Sequence, residues 1–500
     1  MDKNVDDNNK HHKKMKVVIA GGGTAGWISA AALSHQMGEI LDITLVESLE
    51  IGTIGVGEAT IPPMRTFHRL LGINEQEFMR ATNATFKLGI QFENWKQVGE
   101  KYFHSFGVTG KQTVVADFIH FWLRGRNLGI ADDFGNYCLE YKAALKERFG
   151  INEQARLNYA FHLDAGRYAS FLRARAEARG VTRVEGKIAS VQQNPESGFI
   201  TSLTMDSGLE IPGDLFIDCT GMRGLLIEQT LQTGYEDWSH WLPCDSAIAV
   251  QTESTSAALP YTRSIAHHAG WRWQIPLQHR VGNGLVFSSQ HMSQDEATSM
   301  LLSNVDGKVL TESKPIKFRT GKRKKSWNKN CVAVGLASGF LEPLESTSIH
   351  MIMTAITRLL QLFPHGEIRP SIVNEFNLQA ESEIARIRDF IILHYKATER
   401  DDSSFWRYCK EMDVPEELEH RIRLFKEVGK SFQVEGELFR LDSWTQVMLG
   451  QGLMPESYHP MIDLMSERDL NLFLNNIAAD VDKNIATLFS HQEFVNKYCA

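Results

Sequence analysis

Apolar positions fall into short β-branched runs alternating with helical stretches up to about residue 364, and almost wholly into helical stretches beyond it. Lys16–Ala20 reads as a buried strand, Ala25–Met37 as an alanine-rich helix and Ile40–Glu47 (ILDITLVE) as a second buried strand, which together make a βαβ unit. Residues 51–63 (IGTIGVGEATIPP) are dense in Gly, Thr and Pro and read as a loop. A helical pattern runs from Met64 to about Asn94. Asp164–Arg179 predicts a helix with Asp164 at its N-cap. Strands are predicted at Val184–Val191, Phe199–Met205, Leu215–Asp218, Ala247–Thr252 and Trp271–Ile275, the last paired with Leu285–Ser288. Cys331–Val334 is another buried strand, leading into a glycine turn and a helix on which Ile349, Ile352, Met353, Ile356, Leu360 and Phe363 keep helical spacing. From Ile368 to Ala500 the pattern is mostly helical, and no internal repeat is visible. The expected fold class is α/β: a tail at 1–14, a discontinuous mixed α/β body over 15–364, and an α-rich region over 365–500.

The chain of 500 residues is 43% apolar and 23% charged, ordinary values for a globular protein. It carries 53 Lys+Arg against 61 Asp+Glu, a net charge of −8, which argues against a general nucleic-acid binder. One basic stretch, Lys317 to Lys329, includes Lys322-Arg323-Lys324-Lys325 and reads as a solvated turn before a strand. No apolar run approaches the ~18 residues of a membrane helix. Met1–Lys16 is polar, without a signal-peptide core. The six cysteines, Cys138, Cys219, Cys244, Cys331, Cys409 and Cys499, show no C-x-x-C spacing. They predict neither a disulfide framework nor a thiolate metal site. A reduced, cytoplasmic setting is expected, with no membrane and no metal.

Gly21-Gly22-Gly23-Thr24-Ala25-Gly26 is a G-x-G-x-x-G run between strand and helix. Gly21 permits the tight turn, Gly23 lets a pyrophosphate approach the backbone, and Gly26 allows close helix–strand packing. The helix N-terminus then offers free N–H groups to phosphates. Glu47 ends the second strand, 21 positions after Gly26, where an acid can bind ribose hydroxyls. This points to a dinucleotide. Leu215–Leu225 (LFIDCTGMRGL) and Cys331–Gly339 (CVAVGLASG) are returning strands with small-residue turns, far from the first βαβ unit. By fold analogy with flavoprotein monooxygenases they favour FAD over NAD.

Five separated segments make the resemblance specific: GGGTAGW at Gly21–Trp27, GVGEATIP at Gly55–Pro62, NATFK at Asn83–Lys87, W-x-W-x-I-P at Trp271–Pro276 and FLEPLEST at Phe340–Thr347. In this order the sequence resembles the flavin-dependent tryptophan halogenases over about residues 15 to 495. The resemblance implies a flavoprotein-monooxygenase-like FAD-binding fold with mixed sheets, substrate elements at about 64–160, and an α-rich C-terminal substrate region, 365–500, that closes the substrate pocket. It also implies reduced FAD supplied by a separate NADH-dependent flavin reductase, with O2 and chloride or bromide as co-substrates. Hypohalous acid made from a flavin hydroperoxide would halogenate an electron-rich aromatic, tryptophan or another indole, and relatives are often homodimers.

The same resemblance assigns residues. Lys87 receives the hypohalous acid, as a haloamine or by hydrogen bonding, and Glu345 polarises that acid or deprotonates the arenium intermediate. Read from the residues, Lys87 is either a helix-surface lysine snorkelling past apolar neighbours or a partly buried ammonium whose pKa burial lowers, and Glu345 a carboxylate suited to a helix N-terminus, with Ser346 or Thr347 as the cap. A helix start also binds small anions, and the halide site maps onto Thr347 and Ser348; most characterised members have Gly at the latter position. Cofactor contacts fall on Gly21 to Gly26, Glu47, Ala59, Thr60, Ile188, Leu336 and Ile349. Trp271, Trp273, Ile275 and Pro276 lie near the flavin, where the two tryptophans, on one face of a strand, hinder direct access of substrate. Read alone, they are two core aromatics. His104, Phe106 and Trp444 line the substrate. Asp442-Ser443-Trp444 and Gly450-Gln451-Gly452 occupy the pocket-closing region. The paired tyrosines and acid that grip free tryptophan in the best-known members are not found, so an indole within another molecule is an equal candidate. The rival readings are a flavin hydroxylase of the same fold and a flavin-binding protein without catalysis.

Overall fold

The structure, a computed structural model, describes residues 14–50, 57–114, 116–364 and 366–500. Met15–Ala20 runs through the middle of a six-stranded sheet. Leu41–Glu47 and Leu215–Asp218 flank it in parallel, with Ile19 opposite Leu45 on one side and Ile217 on the other. Thr182–Glu185 and Cys331–Ala333 extend the sheet in the same sense, and Trp327–Asn328 closes one edge antiparallel. Parallel strands are covered on both faces, which is why most of these runs are nearly continuous in apolar residues. The helix Thr24–Met37 crosses from the first strand to the second and packs against helices Ala165–Glu177 and Ser348–Gln361. Asp164 caps the former by accepting from Arg167 N–H at 3.0 Å.

A seven-stranded mixed sheet runs in the order Lys314–Lys317, Ser246–Thr252, Val281–Phe287, Gly270–Pro276, Thr262–His267, Gly89–Glu93, Lys101–Ser105. The expected pairing of the Trp271 and Leu285 strands is present, antiparallel, with Leu285 opposite Arg272. A three-stranded sheet sets Ala160–Asp164 between Gly57–Ala59 and Thr85–Lys87, so that Lys87 pairs with Ala160 while Ala59 and Thr85 both face His162. Beyond Pro370 the chain is helical, led by Pro370–Lys396. Its Ile387, Phe390, Ile391 and Tyr395 share one core with Ile90, Trp95, Trp271 and Leu344 of the sheets and loops.

Several expectations are corrected. The helical pattern from Met64 ends at Thr82, in two helices, Pro63–Leu70 and Glu75–Thr82. Asn83 adopts a left-handed conformation (φ 50°) that stops the second. Thr85–Lys87 and Gly89–Glu93 are strands, where β-branched and aromatic side chains pack well. Gly57–Ala59, expected as loop, is a strand; residues 51–56 lie outside the described residues, as do 1–13 of the expected tail. The run Val184–Val191 is broken at Gly186 (φ 139°) into strands of two different sheets. In the basic stretch, Gly321–Arg323 is a buried strand. Lys322 pairs with Glu236 and Glu381, and Arg323 with Glu228 at 2.8 Å, so acidic partners distant in sequence draw these two cations inward.

The turn after the first strand demands its glycine. Gly21 has φ 108°, and a Cβ there would lie 2.3 Å from the Cys219 carbonyl oxygen. Gly21→Ala is expected to destabilise the protein by about 2 kcal/mol or more. Gly166→Ala, whose Cβ would meet only Asp164 Oδ1 at 3.5 Å, should be neutral or stabilising by up to ~1 kcal/mol. Paired thermal-melting curves check both, and equal losses at the two sites would contradict the steric argument.

Candidate functional site

The glycine turn forms a cradle of the kind expected for a nucleotide. Gly23 precedes the helix Thr24–Met37 with φ −72° and ψ −169°, a conformation open to any residue, so backbone strain does not explain its glycine. No side chain caps this helix and its first turn holds no acid, which leaves amide groups and a positive dipole end for an anion. Glu47 ends the adjacent strand. Its carboxylate accepts from Trp27 Nε1 at 3.2 Å and Arg183 Nε at 2.5 Å, and it lies where a Cβ on Gly22 would fall, 1.6 Å from Oε2. Gly335 approaches from the other side: a Cβ there would come within 2.9 Å of Ala25 Cβ. These residues fit a dinucleotide pyrophosphate. Leu336 lies in the turn Gly335–Ala337 and Ile349 is buried in the first turn of the helix Ser348–Gln361. Ile188 stands opposite Met205 on a separate three-stranded sheet and packs on the core beneath Val18 and Val46.

Lys87 is wholly buried. Its strand is held by Phe86 N–H, which donates to His491 Nε2 at 3.2 Å, and by Thr85 Oγ1, which donates to the Pro276 carbonyl at 2.7 Å. Its ammonium donates to Ser346 Oγ at 2.6 Å and the Thr60 carbonyl at 3.1 Å, and sits 5.2 Å from the Phe106 ring centroid. Ala59 and Thr60 thus stand beside Lys87, Thr60 pinned to Phe161 through backbone and hydroxyl. Burial lowers Lys87 to about 7, against the upward pull of Glu345. Of the two readings of Lys87 the buried ammonium holds and the surface lysine does not: a strand in a covered sheet leaves it no route to water.

Glu345 is also wholly buried. It ends the short turn Pro343–Glu345, and Ser346 follows in a left-handed conformation (φ 59°) that swings its hydroxyl to Lys87. Glu345 Oε2 lies 2.8 Å from His104 Nδ1, and Oε1 2.8 Å from His394 Nε2. Burial alone would raise this carboxyl, but the two imidazoles outweigh it and hold the group at about 2. The expected side-chain cap is absent: Ser346 is committed to Lys87, and Thr347 Oγ1 is buried without a partner ahead of the helix beginning at Ser348. An orphan hydroxyl at an uncapped helix start, with no acid in the first turn, suits a small anion.

Trp271 and Trp273 project to one face of their strand, ring centroids 6.0 Å apart, and both belong to the core. Trp273 fills the space over Gly284, where a Cβ would lie 2.0 Å from its ring. Ile275 and Pro276 are buried beside them. Trp271 Nε1 donates to Glu342 Oε2 at 2.8 Å, and Tyr395 Oη donates to the same atom at 2.6 Å. Desolvation raises Glu342 to about 7. Glu342, Tyr395, His394 and Tyr102 were not singled out from the sequence. Glu342 stands in the FLEPLEST motif three positions before Glu345, but no spacing rule points to the other three.

His104 reaches Glu345 as described, and its Nε2 is buried without a partner. Phe390 and Phe439, stacked at 3.8 Å, lie 5.5 and 6.2 Å from it. Trp444 stands one ring further out, its edge on Phe390 at 4.8 Å. Its Nε1 donates to Glu437 at 3.1 Å, and Arg421 covers its face at 3.9 Å. Arg421 also lies 4.1 Å from the Phe432 ring centroid and 3.1 Å from Glu437. Asp442 accepts from Thr109 N–H at 2.9 Å, tying the loop after Phe106 to the helix Leu441–Gly450.

The tryptophan halogenase family matches residues 16–467. A tryptophan 6-halogenase of Streptomyces toxytricini is 36% identical over 81% of this chain and 82% of its own. A tryptophan 7-halogenase of Lentzea aerocolonigenes is 35% identical over 89% of this chain and 91% of its own. Among solved structures, a flavin-dependent halogenase from Xanthomonas campestris superposes with a TM-score of 0.96 at 55% identity, covering 98% of this chain and 99% of that one.

Burying Lys87 costs stability in a pH-dependent way. With its pKa lowered from 10.5 to about 7, the native state binds fewer protons than the unfolded chain between those values. Stability from this group therefore rises with pH across that window and is lowest below it. Lys87→Met removes the dependence. Relative to the parent, the variant is expected to be favoured most at pH 6 and to lose that advantage, on the order of a few kcal/mol, by pH 10. Denaturation midpoints at both pH values test this, and a difference that does not change with pH would contradict the buried ammonium.

Proposed function

The chain belongs to the tryptophan halogenase family, and we propose that it carries out reduced-FAD-dependent halogenation of an electron-rich arene, an indole that need not carry a free amino-acid end. The observation that carries this reading is the joint burial of Lys87 and Glu345 among polar groups that serve them and almost nothing else. When bound, reduced FAD supplies hypohalous acid from oxygen and a halide. The first-turn amides after Gly23 hold its pyrophosphate, and Thr347 with Ser348 holds the halide.

Lys87 receives the hypohalous acid. With a pKa near 7 it is divided between amine and ammonium at neutral pH. The amine lone pair takes the halogen with loss of water, or the ammonium holds the acid by hydrogen bonding. In either case a ring carbon takes the halogen, and the ring proton leaves to restore aromaticity. Glu345, ionised throughout the neutral range, is the base that takes it. This role fits the site better than that of proton donor to the hypohalous acid, because a group at about 2 holds almost no proton at pH 7. Holding the arene between Phe106 and the wall of His104, Phe390 and Phe439 sets which carbon faces Lys87.

The indole preference rests on Arg421 and Glu437. They are the buried charged pair beside Trp444, and each is committed to the other. An amino-acid zwitterion placed there would find aromatic rings and spent charges. One nucleotide cradle forms among the described residues, so we assign the supply of FADH2 to a separate NADH-dependent flavin reductase. The six cysteines are unpaired, which supports a reduced, cytoplasmic setting.

Incubation with reductase, NADH, FAD and either indole or tryptophan, with and without bromide, is expected to give a halide-dependent brominated indole, with less product from tryptophan. A gain of one oxygen regardless of halide would instead mark a hydroxylase. Lys87→Ala should abolish product with flavin affinity intact. Gly23→Val should weaken FAD binding at least tenfold in titration while leaving the melting temperature within a few degrees; unaltered affinity would remove the pyrophosphate from that turn.

A further inference from the structure

Glu345 meets imidazoles on both oxygens, and of the two only His104 was among the expected substrate-lining residues. The other, His394, comes from the helix Pro370–Lys396 and is fully buried, its ring stacked on Phe92 at 4.5 Å. Its Nε2 lies 2.8 Å from Glu345 Oε1, but off the axis of a hydrogen bond; neither atom has another partner. Its Nδ1 lies 2.7 Å from Tyr102 Oη. That phenol oxygen also accepts from Gln451 Nε2 at 3.3 Å, which leaves its own proton for Nδ1. Gln451 Nε2 donates as well to the His394 carbonyl at 2.8 Å, clamping phenol and helix together. With Nδ1 accepting, the proton of a neutral His394 ring is on Nε2, the nitrogen 2.8 Å from the carboxylate.

We infer that His394 is a positioning residue for the halogenation step, and that Tyr102 and Gln451 fix its tautomer so that the ring proton stays on Nε2, within reach of Glu345 Oε1. The inference rests on the reading of Glu345 as the base that takes the ring proton. Two loosely aligned atoms at 2.8 Å have the geometry of a contact that tightens when the carboxylate turns to the substrate. The arrangement leaves one oxygen of Glu345 oriented by His394 and keeps the group ionised in a dry site. In the step itself the C–H electron pair returns to the ring and the proton goes to the carboxylate; His394 gains and loses nothing.

The charged and titratable groups around the pair are Lys87 from its strand, His104 and Tyr102 from Lys101–Ser105, and Glu345 from its turn. Phe92, Trp95 and Phe390 complete the surroundings of His394 without charge. Loss of the Nε2–H donor should therefore leave the carboxylate less well oriented. Glu345 starts at about 2 and stays ionised at neutral pH, so the loss is read in the rate.

The test uses full-length enzyme given pre-reduced FAD, with indole bromination followed at pH 7 and escaping hypobromite trapped with monochlorodimedone. His394→Leu is expected to lower the bromination rate at least tenfold, with hypobromite still formed at the parent rate. His394→Gln, which returns an N–H at about the same reach, should bring back most of the rate. Tyr102→Phe should lower the rate in the same way by less, and it carries the test should His394→Leu fail to fold. Glu345→Gln separates the two claims. If it brominates like the parent, the underlying reading of Glu345 fails. If it is inactive while His394→Leu, or Tyr102→Phe in its place, keeps the parent rate, the inference about His394 is overturned. Equal rates for His394→Leu and His394→Gln would also overturn it, since the donor would then not matter.

Discussion

An ammonium and a carboxylate, both removed from water, have to be kept usable rather than merely neutralised. Lys87 and Glu345 are each fully buried. Two such charges brought into direct contact would form a closed pair, stable against breakage and poor at chemistry. Here each is served by other groups. Lys87 is received by a hydroxyl and a carbonyl, and Glu345 by two imidazoles. Both are shifted downward, with opposite consequences for charge. Lys87 is brought near neutrality, where both its forms are populated, whereas Glu345 is held far down and remains charged. An amine and a carboxylate available side by side at neutral pH let one pocket hold a reagent and a base together.

That constraint accounts for two backbone irregularities. Asn83 and Ser346 are both left-handed non-glycine residues, and each lies immediately before or within a segment of the proposed site. Asn83 stops a helix so that Lys87 can enter the core on a strand. Ser346 turns the chain between Glu345 and the helix that follows, placing its hydroxyl on Lys87. Strain concentrated at such points is held by the packing around it. His491, six residues after the end of the helix Glu467–Ile485, serves the same purpose by binding the backbone of Phe86 and Ala258.

The parts legible in the sequence were those with local rules. The βαβ unit, the Asp164 cap and the pairing of the Trp271 strand follow from periodicity and turn chemistry. Lys87 was visible only as a motif member; its surroundings were not, because an apolar run with one lysine fits helix period as well as a short strand. Lys322 and Arg323 looked solvated for the related reason that their partners, Glu228, Glu236 and Glu381, lie 59 to 95 positions away. His394 and Tyr395 carry no signal at all in one sequence: a histidine and a tyrosine near the end of an amphipathic helix are ordinary core residues until the fold shows what they touch.

Those two adjacent residues also connect the halves of the site. His394 turns to Glu345, the carboxylate proposed as the base, and Tyr395 to Glu342, the carboxylate that fixes Trp271. The two glutamates are themselves three positions apart, joined by the turn Pro343–Glu345. A shift of the helix Pro370–Lys396 along its axis would therefore displace Trp271 and the proposed base together. Separate supports would let one drift against the other. A shared helix holds the two in register with few residues, and it explains why side chains so far along the chain from either motif are buried as completely as Lys87 and Glu345.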